Sequence, residues 1–194
     1  MTTNLLSRGE VPPRSQAKTE LTWDLTPVFP SEAAWEADLT RAADLVKTLP
    51  QFKGKLKRSG KQLLAFFQLR DTVGQLVEKL YVYSHLKADE DKGNSHYQAM
   101  NERALALYTQ FGEAISWADP ELLSAKPERI EGFVAKTKGL ELYSHKLAEL
   151  MLRRDHVRSP EVEELLAQYS QVSQGPSNTF SMLDNADLKD RKST

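Results

Sequence analysis

The chain has 194 residues, with 26 basic and 27 acidic side chains and a formal net charge of -1, so it lacks the basic excess that nucleic-acid binding requires and we expect no nucleic-acid partner. It contains no cysteine, which excludes disulfides, thiolate nucleophiles and cysteine-based zinc sites. Because no stretch resembles a signal peptide or a membrane span of roughly 18 apolar residues, we expect a cytoplasmic protein that binds no membrane.

The N-terminal region combines a polar arm with the first predicted helix. Residues 1–20 are polar and show no hydrophobic period, so we expect a flexible arm, with order beginning near Trp23. An apolar cluster follows, made of Trp23, Leu25, Val28 and Phe29. It predicts a short extended segment that anchors the arm by hydrophobic contact. Ser31 then fits the N-cap of a helix that contains Trp35 and ends before Pro50.

Two apolar stripes with helical spacing predict a long hairpin. The first stripe is Phe66, Leu69, Val73, Leu76, Leu80 and Tyr83, and the second is Tyr97, Met100, Ala104, Leu107, Phe111 and Ala114. Gly93 favours a turn between them, and Asn94 or Ser95 favours a helix cap. The pattern predicts two antiparallel helices, the first running from Gly60 to Asp89 over about 30 residues, or roughly 45 Å.

Proline and glycine separate several shorter helices after the hairpin. Asp119 and Ser159 each precede a proline and are predicted N-caps, Lys126-Pro127-Glu128 predicts another helix start, and Gly139 predicts a break. Two more buried stripes are predicted: Leu140, Tyr143, Leu147 and Leu150, then Val162, Leu165, Tyr169 and Val172. No segment alternates with period two for long. We therefore expect an all-α fold, an elongated helical domain with a long antiparallel hairpin followed by shorter helices.

The histidines and acidic residues match no familiar catalytic or metal-binding motif. His145 and His156 are about 16 Å apart along one helix, too far for one metal ion with bonds to imidazole of about 2 Å. His85 and His96 flank the hairpin loop, each without a second histidine three or four residues away. Residues 89–91 are acidic but lack the ligand spacing of a calcium loop, which favours a solvated tip. We expect partly buried, hydrogen-bonding histidines and no catalytic, cofactor-binding or metal-binding residue in this chain.

Six segments resemble, in order, the N-terminal region of oligoendopeptidase F, a zinc metallopeptidase of the thimet-oligopeptidase-like family. They are TWDLTPVFPSEAAWEADL, FKGKL, KLYVYSHLKADEDKGNSHYQAMNERA, ADPELL, GLELYSHKLAELMLRRDHVRSPEVEELLAQ and NTFSMLDNADLK. They extend from Thr22 to Lys189. The resemblance implies that residues 21–189 form a helical lobe lining a substrate channel, which admits short peptides and excludes folded proteins.

The same resemblance implies that the chemistry lies outside this chain. Family members hydrolyse peptides with zinc held by an H-E-x-x-H helix, a motif that these 194 residues do not contain. We therefore expect zinc in a missing catalytic domain, with that C-terminal domain and oligopeptide substrates as partners, and an isolated chain that is inactive. Residues 190–194 depart from the family pattern and form a polar tail. An autonomous helical interaction module without enzymatic activity is the alternative.

Overall fold

The computed structural model describes residues 16–91 and 93–156 and the isolated positions 169, 173, 175, 176, 179 and 180. Its α-helices are α1 (Glu32–Val46), α2 (Gly60–Glu90), α3 (Ser95–Ile115), α4 (Ala118–Leu123), α5 (Pro127–Lys136) and α6 (Ser144–Leu152). Short 3-10 helices lie at Thr19–Leu21, Leu49–Phe52, Leu140–Tyr143 and Arg153–His156. The described residues contain no strand, and the predicted all-α class is confirmed.

The chain divides into two compact units, Met1–Leu147 and Ala148–Thr194. The first unit contains α1 to α5 and the start of α6. Most of the predicted arm, the helix start at Ser159 and the polar tail at 190–194 lie outside the described residues, and the boundaries 21 and 189 stay predictions. Of the predicted stripe after Ser159, the positions Val162, Leu165 and Val172 also lie outside the described residues, and Tyr169 is 62% exposed, so its predicted burial was wrong. No helix in the described part is both long and apolar enough to cross a membrane.

Helix α1 begins where its cap was predicted and packs on α2. The Ser31 hydroxyl accepts a hydrogen bond from the N–H of Ala34 at 3.2 Å, which satisfies one of the free donors in the first turn. Trp35 is fully buried, and its indole N–H donates to the Leu80 carbonyl at 3.0 Å. The indole thus ties α1 to α2 by both packing and a directed bond.

The segment before α1 turns, although an extended segment was predicted. The N–H groups of Val28 and Phe29 both donate to the carbonyl of Leu25. This turn brings Leu25 and Phe29 inward, and the Phe29 ring meets Tyr83 edge-on with centroids 5.3 Å apart. Trp23 stays 56% exposed, so the predicted burial of the whole cluster was wrong for this residue. Leu25 and Phe29 are buried because the turn brings only part of the cluster to the body.

Helices α2 and α3 form the predicted antiparallel hairpin. Pairs that meet across it are Gly74 with Phe111, Tyr81 with Tyr108, and Ser84 with Asn101, so residue numbers rise on α2 as they fall on α3. Helix α2 has 31 residues and ends one residue beyond the predicted Asp89. The Asn94 side chain caps α3 by accepting from the N–H groups of His96 and Tyr97.

Seven of the twelve residues in the two predicted stripes of the hairpin are buried. Predicted members that are buried are Phe66, Val73, Leu80, Tyr83, Met100, Ala104 and Leu107. The other five, Leu69, Leu76, Tyr97, Phe111 and Ala114, are only half-buried, whereas Phe67 and Val77, which lie outside the predicted stripe, are buried. The reason is that α2 packs against both α1 and α3, which requires a wider apolar face than one stripe.

The acidic residue Glu121 holds a distant loop. Asp119 was predicted to cap α4, but the helix already begins at Ala118 because the chain continues in helical conformation from the end of α3. The Glu121 carboxylate accepts hydrogen bonds from the N–H of Gly54 at 2.6 Å and of Leu56 at 2.8 Å. It therefore orders the loop that leads into α2.

The last boundaries of the first unit agree with the sequence. Pro127 occupies the start of α5. Gly139 has a φ of +99°, a left-handed conformation that glycine adopts without steric cost, and it ends the connection after α5. Leu140 and Leu147 are buried as predicted, and Tyr143 is half-buried.

Candidate functional site

Helix α1 covers only one side of the hairpin. Arg103 of α3 forms a bidentate pair with Glu36 of α1, with both nitrogen–oxygen distances 2.6 Å. Leu105 follows Arg103 by two positions, or about 200° around the helix, and so lies on the side away from α1. We use the term open face for the hairpin surface opposite α1, formed by Tyr81, His85, Asn101, Leu105 and Tyr108.

Helical spacing assembles the open face. Asn101, Leu105 and Tyr108 are four and three residues apart on α3, and Tyr81 and His85 are four apart on α2, so each set shares one helix face. The Tyr81 ring stacks on the His85 ring with centroids 5.3 Å apart and an interplanar angle of 17°. The same tyrosine lies 5.9 Å from the Tyr108 ring across the hairpin. The rings form one aromatic surface that bridges both helices.

The open face is apolar at its centre and accessible to solvent. Leu105 is 48% exposed and Tyr108 is 50% exposed. Single exposed apolar residues are normal, but a contiguous apolar patch marks an interaction surface. Tyrosine adds a hydroxyl to a large ring, a combination suited to contacts with polypeptide.

Toward the hairpin tip the open face borders a polar cavity of 240 Å³. It is lined by His85, Ala88, Asp89, Gln98, Asn101 and Glu102. His85 Nε2 lies 3.4 Å from Asp89 Oδ2. The amide and carboxylate groups supply donors and acceptors for a peptide backbone. The described lining residues thus offer hydrogen-bonding groups that suit binding.

A second polar cluster joins the middle of α2 to the segment before α6. The Tyr143 hydroxyl donates to Asp71 Oδ2 at 2.7 Å, and its ring stacks on Phe67 with centroids 4.6 Å apart. Arg70 binds the other oxygen of the Asp71 carboxylate. Burial, aided by Asp71, raises the pKa of Tyr143, and burial, aided by Arg70, lowers the pKa of Lys146. Both carboxylate oxygens are engaged, which makes this cluster a structural connection.

The histidines lie on separate elements. His85 belongs to the open face, exposed His96 contacts the Glu32 carboxylate of α1 at 2.9 Å, and His145 lies exposed on α6. The side chain of His156 is outside the described residues. Within the part of the chain that is described, no three histidine, aspartate or glutamate side chains converge as metal ligands. The described residues therefore supply no ligand set for zinc.

The open face was not predicted from the sequence. A signal was available, because Leu105 and Tyr108 are large apolar residues outside the predicted buried stripe of α3. The contacts of Glu121 with Gly54 and Leu56, and of Asp71 with Tyr143, were not predicted either; they join positions 65 to 72 residues apart along the chain. No local pattern connects positions that far apart.

Sequence comparison relates this chain to bacterial oligopeptidases. A family model described as Oligopeptidase F matches residues 121–189. Oligopeptidase PepF of Bacillus subtilis is 40% identical over 180 residues, a match that covers 93% of this chain and 27% of that protein. The plasmid-encoded Oligoendopeptidase F of Lactococcus lactis is 34% identical over 177 residues, with 91% and 30% covered. This chain spans less than a third of the length of these curated relatives.

Solved structures show the same relationship. The crystal structure of oligoendopeptidase-F from Enterococcus faecium superposes with a TM-score of 0.65 at 34% identity, over 81% of this chain and 31% of that one. That of a putative peptidase from Chlamydophila abortus gives a TM-score of 0.71 at 28% identity, over 92% and 30%. In both, the likeness extends over most of this chain and a minor part of the other protein.

Proposed function

Since this chain corresponds to an N-terminal region of the oligoendopeptidase F family, we propose that it is a helical lobe of a cytoplasmic zinc peptidase that hydrolyses short peptides. The lobe lines the substrate channel, where it acts as scaffold and size filter. Zinc and the catalytic residues belong to a domain outside these 194 residues. The observation that supports a peptide-binding role is the open face, which α1 leaves uncovered.

The chemistry of the open face suits unstructured peptides. The rings of Tyr81 and Tyr108 and the Leu105 side chain offer apolar contact without demanding one side-chain sequence. Asn101, at the edge of the tip cavity, can pair with peptide N–H and C=O groups. A folded protein keeps those backbone groups paired internally, so it cannot use this surface in the same way.

In the proposed enzyme, the catalytic domain hydrolyses the peptide and this lobe breaks no bond. Zinc, when bound by the catalytic domain, supplies an activated water for hydrolysis. Residues of the lobe bind and orient the peptide, and they limit which molecules reach the channel. The hairpin is suited to that task because its buried stripes hold the open face on two packed helices.

The test is a chimera in which this chain replaces the matching region of Bacillus subtilis Oligopeptidase PepF. We expect cleavage of a quenched fluorescent peptide and none of a folded protein. The double variant Leu105→Ser and Tyr108→Ser should raise KM at least about fivefold with little change in kcat. The reason is that the lost contacts bind the peptide equally in the ground state and in the transition state. Leu142→Ser is the matched control, since Leu142 is 83% exposed and lies outside the open face.

Four outcomes would count against the proposal. An unchanged KM in the folded double variant would mean that the open face does not line the substrate channel. Cleavage of a folded protein would contradict the size filter. A folded but inactive chimera would favour the alternative of an autonomous interaction module. Chelator-sensitive cleavage by the isolated 194-residue chain would contradict the absence of catalytic residues.

A further inference from the structure

A cavity of 530 Å³ lies at the end of α2 farthest from the hairpin tip. The loop before α2 forms one wall, and the connection from α4 into α5 forms the other. Its charged and polar lining consists of Lys57, Arg58, Ser124, Lys126, Glu128 and Arg129. Tyr81 of the open face lies 21 positions beyond Gly60, or about 30 Å along α2, so the two surfaces are separate.

Neutral partners hold two of the four cations in place. The Lys57 ammonium donates to the Ser124 hydroxyl at 3.0 Å. Arg129 donates from Nε to the Lys57 carbonyl at 2.8 Å, and its guanidinium lies 5.6 Å from the centre of the Phe133 ring. These contacts position both side chains without neutralising them.

The cavity concentrates positive charge. Among the described residues that line the cavity, four are basic and one, Glu128, is acidic, so this lining has a net charge of +3. None of the four cations lies within 4.0 Å of a carboxylate oxygen among the described ion pairs. Helix α5 begins here without a side-chain cap, and its dipole adds positive potential.

We infer that this basic cavity binds an oxyanion ligand with two or more negative charges, either a phosphate or a polycarboxylate. The guanidinium forks of Arg58 and Arg129 match the paired oxygens of both groups. Lys57 and Lys126 add point charges from the two walls. A bound dianion relieves the mutual repulsion of four cations, and it links the loop before α2 to the start of α5.

The test is to titrate the 194-residue chain with inorganic phosphate and, separately, with citrate. Binding is measured by calorimetry and by the chemical-shift changes of backbone amides in NMR spectra. We expect saturable binding of at least one anion, weakening with added sodium chloride, with the largest shifts at residues 124–129. Binding of phosphate alone identifies a phosphate site, and binding of citrate alone identifies a polycarboxylate site.

Matched double variants separate a built site from general charge. Arg58→Gln with Lys126→Gln should weaken binding at least about tenfold, because two charge-assisted contacts are lost. Arg41→Gln with Lys47→Gln removes the same charge from α1 and from the residue that follows it, and should change the Kd less than about twofold. Circular dichroism checks that both variants are folded. Equal weakening by the two doubles, or no saturable binding of either anion, would overturn the inference.

Discussion

Two leucines on α3 offer a direct test of how the hairpin packs. Leu107 is 4% exposed, whereas Leu105 is 48% exposed on the open face. Both lie in the middle of the same helix and are two residues apart, so backbone and propensity effects of a substitution are nearly equal. Replacing each in turn by alanine therefore measures burial and little else.

The expected magnitudes differ severalfold. Leu107→Ala removes buried methyl groups and leaves a cavity in the stripe shared with Met100 and Ala104, so the free energy of unfolding should fall by about 2–5 kcal/mol. Leu105→Ala removes a side chain that already lies half in water, and the loss should stay below about 1 kcal/mol. Leu107→Asp should cost more than Leu107→Ala, because it adds an unpaired buried carboxylate.

Urea denaturation followed by circular dichroism at 222 nm measures the difference. With a slope of about 1–3 kcal/mol per molar urea, a loss near 3 kcal/mol lowers the midpoint by about 1–3 M. Equal midpoints for Leu105→Ala and Leu107→Ala would refute the reasoning, since the two positions could not then differ in burial. A large loss for Leu105→Ala alone would mean that the open face is covered in solution.

Three further predictions concern other contacts. Glu121→Gln should lower the free energy of unfolding, measured in urea, by about 1–3 kcal/mol, because the side chain that accepts from two backbone N–H groups loses its negative charge. The control is Glu131→Ala at an exposed position. The hydrogen bonds from Arg103 hold the pKa of Glu36 below its usual value. The exposed pair therefore stabilises the fold at pH values above the pKa that Glu36 has in the unfolded chain, and this stabilisation is lost as the pH falls through the lowered pKa of the folded state. Glu36→Gln should therefore cost less than about 1 kcal/mol at pH 7 and nothing in strong acid, as acid titration will show. Trp35→Phe removes the indole donor to α2 and should lower the thermal midpoint, with a loss of about 1–3 kcal/mol.

Local patterns in the sequence were sufficient for the helices and their limits. The cap at Ser31, the turn at Asn94 and the proline at 127 each act within one helical turn, and all three begin helices where predicted. The two apolar stripes also predicted the antiparallel hairpin, because adjacent stripes joined by a short loop bury each other most directly. The prediction failed at Asp119 because the chain stays helical from the end of α3 into α4. It failed at Trp23 because the segment that follows forms a turn.

The sequence by itself therefore determined the all-α class, most helix boundaries and the hairpin, since these depend on spacing and caps over a few residues. Only the tertiary structure decided which side of the hairpin α1 covers, and hence that Leu105 and Tyr108 form an open face. It also decided that Val77 is buried in preference to Leu76, and that Glu121 holds the loop at Gly54. Each of these depends on contacts between distant segments, whose relative placement comes from packing the whole core and from no local pattern.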